Sequence, residues 1–462
     1  MSHVHIMGIA GAGMSAIAHL LLDQDHRVSG CDQQRNNLSA ELAARGATIL
    51  LNHAPEHLAQ VDTLVISSAV HGDHPEVLAA RAQEIPVLKR ADLWRRWSEQ
   101  KATLAVAGTH GKTTTTAMAA IILDRLGYDP AYVVPAGGPV PGLARFARWG
   151  TGPFVIEADE YDRLLLGLTP EVAIITNVDW DHVDIYPTRA DVETTFTQFA
   201  HQVSRTVVYC AEDEGARRVR TAAGDGGTQW QSYGFAPAAD WRIADVVPDS
   251  DGMRFVLHVP AERRYVEPLA GRLLVPGRHN LLNAAGAVAA VAQFGVAPRD
   301  ALAVLAEAFR GAARRFEWKG EEQGITFVDD YAHNPAKVAA TLAAARIRFG
   351  ARRLLVYFQP HTFSRTAALL EPLAEAFQGA DLVLVGDIYP SRERAADFPG
   401  VDAALLVQHM RVPAEAAGGL TPAADRLLKE VRPGDVVLTL GAGDGYKVGD
   451  QVRIWLRERG PA

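Results

Sequence analysis

At 462 residues the chain is too long for one hydrophobic core, so two to four domains are expected. Apolar residues make up 48% and charged ones 22%, a globular balance, while a net charge of −8 argues against a nucleic-acid surface, which needs clustered cations. Only Cys31 and Cys210 are present, no basic leader precedes Gly8 and no apolar run nears ~20 residues, so a cytoplasmic protein without disulfides or membrane insertion is expected.

The first hundred residues alternate short apolar runs with helical patterns. Val4 to Ile9 reads as a strand, Met14 to Leu22 as a helix, Arg27 to Cys31 as a strand ending in Asp32, and Thr63 to Ser67 and Val87-Leu88 as further strands. This alternation builds a parallel, doubly wound sheet. The loop Gly8-Ile9-Ala10-Gly11-Ala12-Gly13-Met14 departs from the G-x-G-x-x-G spacing. With Asp32 at the next strand end it suits a diphosphate and a ribose, either of NAD or of a UDP-sugar. Polar residues from Ser98 to Lys101 mark a first boundary.

Leu104 to Ala107 is a strand running into Gly108-Thr109-His110-Gly111-Lys112-Thr113, with a helix beginning near Thr114. Glycines there let backbone N–H groups approach phosphates at a helix start. Lys112 would reach the β/γ-phosphates and the Thr113 hydroxyl would take one site on Mg²⁺. Val106 stands where the first glycine of the full G-x-x-x-x-G-K-T spacing would be. Strands at Pro153 to Ile156 and Val172 to Thr176 end in Glu157-Ala158-Asp159-Glu160 and Asn177-Val178-Asp179-Trp180-Asp181-His182. Carboxylates at such ends are hard oxygen ligands for a metal-ATP complex, with His182 offering nitrogen; Asp179 and Asp181 equally suit capping of the next helix. Ala222 to Gly227 reads as a surface loop, the segment after Trp241 as antiparallel strands, and Leu281 to Gln293 as an Ala-rich core helix. The amides of Asn280 and Asn283 would read an adenine edge or cap that helix.

Arg314-Arg315-Phe316-Glu317 marks the last boundary. Beyond it Thr326 to Val328, Arg353 to Phe358, Leu382 to Val385 and Val436 to Leu440 are buried-type strands, each ending in a polar or glycine-bearing loop. Ligands sit beyond such carboxyl ends. The loops Asp330-Tyr331-Ala332-His333-Asn334-Pro335 and His361-Thr362-Phe363-Ser364-Arg365-Thr366 are therefore candidates, with Arg365 suited to a substrate carboxylate.

Together the stretches Gly108 to Thr113, Glu157 to Asp162, Thr176 to His182, His279 to Asn283, Arg314 to Glu317, Asp329 to Pro335 and Phe358 to Thr366 closely resemble the Mur ligase family, in family order over most of the chain. The resemblance implies three α/β domains. These are a Rossmann-like UDP-sugar domain over residues 1–98, a central P-loop ATPase domain over 99–312 with a parallel sheet plus a small antiparallel one, and a C-terminal Rossmann-like amino-acid domain over 313–462.

By resemblance, Gly8, Gly11, Gly13, Met14, Ser15, Asp32, Ser67 and His110 would bind the UDP-sugar. Gly108 to Thr114, Asn280, Asn283, Arg315 and Asp330 would hold ATP, and Thr113, Glu157 and His182 would ligate Mg²⁺, two ions in all. Tyr331, His333, His361 and Arg365 would take the amine. Lys112, Glu157, His182, His333 and Arg365 would carry the chemistry. The opening Gly8 to Ser15, Ser67-Ser68-Ala69 and Gln359 to Thr366 look most like the alanine-adding branch, implying UDP-N-acetylmuramate and L-alanine as substrates. A relative that adds a ready-made tripeptide is the alternative, and an NAD-dependent oxidoreductase built on the first loop a remote one. Three departures from the family pattern are Tyr161 for Ser, Asn334 for a second His, and the missing Asn-rich pattern from Pro135 to Arg148.

Overall fold

The computed structural model describes residues 2–67, 69–135, 140–181, 185–249, 252–260 and 267–459. It divides into two compact units, Met1–Val246 with Phe255–Arg272 and Leu282–Arg310, and Val247–Arg254 with Leu273–Leu281 and Gly311–Ala462. Three sheets run through the chain, as three α/β domains require. Among the described residues no helix is long and apolar enough to cross a membrane.

The first sheet is parallel, in the order β3-β2-β1-β4-β5, from β1 (His3–Met7), β2 (Arg27–Asp32), β3 (Thr48–Leu51), β4 (Thr63–Ile66) and β5 (Val87–Lys89). The order reverses between β1 and β4, so the loop after β1 opens at a topological switch point. That strand stops at Met7 instead of Ile9, because Gly8 turns at φ +77° and the N–H groups of Gly8 and Ile9 both donate to the Cys31 carbonyl, at 2.8 and 3.3 Å. Ser98 and Gln100 lie in the last turn of a helix, Arg90–Gln100, that buries Trp94 and Trp97.

The second sheet has ten strands in the order β15-β14-β13-β12-β11-β10-β6-β9-β7-β8. They are β6 (Thr103–Ala107), β7 (Ala131–Val133), β8 (Ala147–Arg148), β9 (Phe154–Ala158), β10 (Val172–Ile175), β11 (Thr206–Cys210), β12 (Gln229–Gly234), β13 (Trp241–Asp249), β14 (Gly252–His258) and β15 (Leu269–Leu273). Residues of β6 and β10 are buried throughout, as strands covered on both faces must be. The strands after Trp241 belong to this same sheet rather than a separate small one, since β12 and β13 pair in parallel through Tyr233 and Trp241. Asp23, ending the first domain's helix Ala12–Asp23, accepts from Arg45, Arg145 and the Trp149 N–H at 2.6, 2.9 and 2.8 Å, so one carboxylate joins the first two domains.

The third sheet is β16-β17-β21-β18-β19-β20, from β16 (Glu317–Glu322), β17 (Ile325–Asp330), β18 (Leu354–Phe358), β19 (Leu382–Gly386), β20 (Ala414–Gly418) and β21 (Val436–Leu440). Only the pairing of β16 with β17 is antiparallel there. Insertion of β21 between β17 and β18 makes the switch point, and the loops after these strands share one edge.

Candidate functional site

The glycine turn of the first domain is built by its backbone. Gly11 N–H donates to the Gly8 carbonyl at 3.0 Å, and the helix from Ala12 begins directly after it. The first N–H groups of that helix have no acceptor within it, which is the polarity a diphosphate needs. Met14 and Ser15 are engaged within the turn. Their N–H groups donate to the Gly11 carbonyl, the Met14 side chain is buried, and the Ser15 hydroxyl donates to Ala12 O at 3.0 Å. Asp32 takes the Ala10 N–H on one oxygen and the Gln33 N–H on the other, at 3.0 and 2.8 Å, so it shapes the turn as well as facing it. Ser67 lies against Gly8, 3.5 Å from where a β-carbon would stand there.

In the central domain β6 lies between β9 and β10, which brings three loops to one edge. Gly108 and Gly111 have φ of +140° and +82°, a region that glycine tolerates, and a side chain at Gly111 would press on the Asn283 amide. The helix Lys112–Arg125 starts at that point, earlier than the expected Thr114, and buries Thr113 and Thr114. Asn177 clamps the loop, accepting the His110 N–H at 2.8 Å and donating to the His110 carbonyl at 2.9 Å, while Thr176 donates to the same carbonyl at 2.6 Å. Thr109 and Asp179 bond reciprocally, and the helix after them is capped by Thr188, so Asp179 is a loop residue and no helix cap.

The Lys112 ammonium donates to Glu160 at 2.5 Å and lies 3.7 Å from Asp159. Burial alone would lower its pKa, but the carboxylates of Glu160, Asp159 and Glu157 outweigh that and hold it above the ordinary lysine range. Thr113 donates to Glu157 at 2.8 Å, which sets a hydroxyl and a carboxylate oxygen side by side next to the loop. These are the hard donors that Mg²⁺ takes. The remaining ligand candidate, His182, lies outside the described residues.

In the C-terminal domain His333, His361, Arg365 and Tyr389 form one cluster. The His333 and His361 rings are 5.7 Å apart, His361 stacks on Tyr389 at 5.6 Å, and Arg365 donates to His361 Nδ1 at 3.1 Å. Arg315 stacks over Tyr331 at 4.7 Å. Each oxygen of Asp330 accepts a backbone N–H, from Phe316 at 2.8 Å and Ala332 at 2.7 Å, and burial raises its pKa. A ribose contact would therefore use its second lone pairs. Asn280 is spent locally as well, its amide donating to Pro276 O at 2.6 Å. Asn283 lies beside Gly111, so of the two expected adenine-facing amides one sits at the phosphate loop.

Three family models match the chain in order: the Mur ligase family catalytic domain over residues 3–102, the Mur ligase middle domain over 106–291, and the Mur ligase glutamate ligase domain over 314–443. The chain belongs to the Mur ligase family. Among its relatives the UDP-N-acetylmuramate–L-alanine ligase of Roseiflexus sp. (strain RS-1) is 49% identical, over 99% of this chain and 100% of that one. The enzyme of the same name from Chloroflexus aggregans is 48% identical over 98% of each. Of solved structures, the UDP-N-acetylmuramate–alanine ligase of Thermotoga maritima superposes with a TM-score of 0.81 at 28% identity, covering 99% of this chain and 100% of that one.

Within this Mur ligase two functional-site residues escaped the sequence reading. Glu160 was grouped with the acids, yet nothing in its position said that it, and not Glu157, would hold Lys112. Glu393 accepts the N–H groups of Phe363 and Ser364, at 2.6 and 3.1 Å, and the Ser364 hydroxyl, fixing the start of the helix that carries Arg365. It lies 28 positions from Arg365 in a loop without periodicity, and only the third sheet brings the two together. Asn334, one of the departures, caps the helix Pro335–Phe349 by accepting the Lys337 N–H at 3.0 Å, a structural task that a histidine does less well.

Proposed function

We propose that the chain joins L-alanine to the lactyl carboxylate of UDP-N-acetylmuramate with cleavage of ATP to ADP and phosphate, in cytoplasmic peptidoglycan precursor synthesis. The observation that carries this reading is near-half identity, along both full lengths, to ligases named for that substrate pair. The phosphate loop and the acidic strand end of the central domain and the acceptor cluster of the C-terminal one support it, with domain limits at residues 98 and 312.

The chemistry follows from the groups on hand. A lactyl carboxylate oxygen attacks the γ-phosphorus, the bond to the β-phosphate oxygen breaks, and an acyl phosphate and ADP result. The free amine of alanine then adds to the acyl carbon, and the tetrahedral intermediate expels phosphate. Lys112 holds charge on the transferring phosphoryl oxygens, as do the N–H groups at the helix start. His110, Thr109 and Gly108 shape that cradle, while Asn280, Asn283, Arg315 and Asp330 serve the nucleoside. Thr113, Glu157 and His182 would hold Mg²⁺, which would supply positive charge to the phosphates. Arg365 orients the alanine carboxylate and His333 and His361 wall the pocket.

Replacing Glu157 with Gln keeps the shape of the Thr113 pair but removes its charge. Half-saturation by Mg²⁺ then rises at least ~10-fold, as for a lost charged ligand contact of ~1.5–3 kcal/mol. Binding of UDP-N-acetylmuramate, measured by calorimetry, stays unchanged because its loop is in another domain. Loss of sugar binding in that variant would refute the assignment.

Ligand-induced stabilisation tests the reading as a whole. A ligand at ~100 times its Kd stabilises the native state by about 2.7 kcal/mol. ATP and UDP-N-acetylmuramate each raise the melting temperature and NAD does not. A rise with NAD and none with ATP would move the protein to the oxidoreductase class.

A further inference from the structure

Four side chains that the ligase reaction does not use converge on one face of the first sheet. His5 is central in β1, Cys31 lies near the end of β2, Glu76 is the second residue of the helix Pro75–Ala82, and His57 sits in the 3-10 turn Pro55–Leu58. One ligand atom from each lies within 4.8 Å of all the others. His5, Cys31 and Glu76 are wholly buried, whereas His57 keeps 15% of its side chain exposed and opens the cluster to solvent.

The hydrogen bonds around His5 fix where its protons are. The Gln60 carbonyl can only accept, so His3 Nδ1, 2.8 Å away, must donate to it. In a neutral ring His3 Nε2 is then a lone pair, which accepts the Ser29 hydroxyl at 2.8 Å. Ser29 Oγ in turn accepts from His5 Nδ1, also at 2.8 Å. That leaves His5 Nε2 as a lone pair, 3.1 Å from Glu76 Oε1 and 3.4 Å from Cys31 Sγ. His57 Nδ1 faces the same Glu76 oxygen at 3.6 Å and has no hydrogen-bond partner. With His53 Nδ1 at 3.8 Å from the other Glu76 oxygen and 3.0 Å from Cys31 Sγ, three imidazole nitrogens face one buried carboxylate, an arrangement that calls for a positive centre among them.

Three of the separations match a shared ion. Zn²⁺ bonds of ~2.0–2.3 Å to N, O and S in a tetrahedron place the ligand atoms roughly 3.3–3.8 Å apart. Here His5 to Cys31 is 3.4 Å, Cys31 to Glu76 Oε1 3.7 Å and Glu76 to His57 3.6 Å, inside that range, with His5 to Glu76 just below it at 3.1 Å and every pair within 4.8 Å. Thiolate, imidazole and carboxylate in four-coordination select Zn²⁺ over Mg²⁺ or Ca²⁺. The Ser29 contact to the far nitrogen of His5 is the outer support that metal-bound histidines carry. We propose that His5, Cys31, His57 and Glu76 form a structural Zn²⁺ site that ties β1, β2 and the helix over them together. On binding, the Cys31 thiol proton leaves to solvent and the thiolate joins the ion. Because the Cys31 carbonyl accepts the N–H groups of Gly8 and Ile9, the ion also steadies the sugar-binding turn.

The test uses the full chain, purified without an affinity tag, with Co²⁺ as probe. One metal equivalent is expected per chain, with the intense visible bands of four-coordinate Co²⁺ and a thiolate-to-cobalt charge-transfer band. Cys31→Ser loses the charge-transfer band, and Cys210→Ser, altering the other buried cysteine, keeps it. His57→Ala alters the most exposed ligand and retains the native circular dichroism spectrum. Its Co²⁺ affinity falls by more than the ~10-fold that losing even an outer-shell partner costs. The weak spectrum of six-coordinate Co²⁺ in the parent chain, a charge-transfer band that survives Cys31→Ser, or unchanged affinity in His57→Ala would each overturn the site.

Discussion

Replacing Lys112 with alanine lowers turnover by at least ~10²-fold, the scale of losing one preorganised charge stabiliser. The lysine opens the helix Lys112–Arg125 directly after Gly111, at the carboxyl edge where β6, β9 and β10 bring their loops together. Its removal has a second consequence. Glu160 is 2% exposed and loses the ammonium that it accepts from, and breaking a buried pair costs about 3 kcal/mol or more of stability. The two effects separate in a double variant. Lys112→Met with Glu160→Gln recovers most of the melting temperature and none of the turnover. Phosphate release together with thermal unfolding of the three proteins checks this. Near-parent turnover in Lys112→Ala with the native fold would remove the lysine from the reaction.

Arg365→Ala raises KM for L-alanine and leaves KM for ATP near its parent value. A guanidinium holding a carboxylate through charge-assisted hydrogen bonds contributes ~1.5–3 kcal/mol for each bond. The expected loss in kcat/KM for alanine is therefore ~10–150-fold. His361 accepts from Arg365, and Glu393 fixes the helix start, so the side chain is aimed before the substrate arrives. Arg365→Lys recovers only part of the loss, because a lysine lacks the planar fork. Initial rates over a range of alanine at saturating ATP give the result. Equal effects on both KM values would mean that Arg365 supports the domain and does not touch the amine.

Much of this was legible because buried parallel strands write themselves as continuous apolar runs. Val436 to Leu440 was placed residue for residue, and Leu354 to Phe358 within one. Edge strands were not. Ala414–Gly418 is Ala- and Glu-rich with no residue fully buried, and Thr48–Leu51 is four residues long and half-exposed. The phosphate loop was readable since its glycines, lysine and threonine are contiguous. What the sequence reading could not reach was which partner each side chain takes. Asp32, Asp330 and Asn280 were assigned outward roles, yet each also serves the backbone near it, a use that polar residues have at any turn. Cys31 and Glu76 carried no motif at all, being 45 positions apart and joined only by the sheet and the helix over it.

The amine decides the central claim. In the proposed reading Arg365 holds the one carboxylate of a single amino acid beside His333 and His361, and a tripeptide would need a longer groove with further cations. Phosphate release with UDP-N-acetylmuramate and ATP is to be measured with L-alanine, L-serine, glycine and L-alanyl-γ-D-glutamyl-meso-diaminopimelate at equal concentrations. The account predicts the fastest release with L-alanine, slower release with serine and glycine, since one methylene is worth only ~1–3 kcal/mol, and negligible release with the tripeptide. Faster release with the tripeptide than with L-alanine would contradict it.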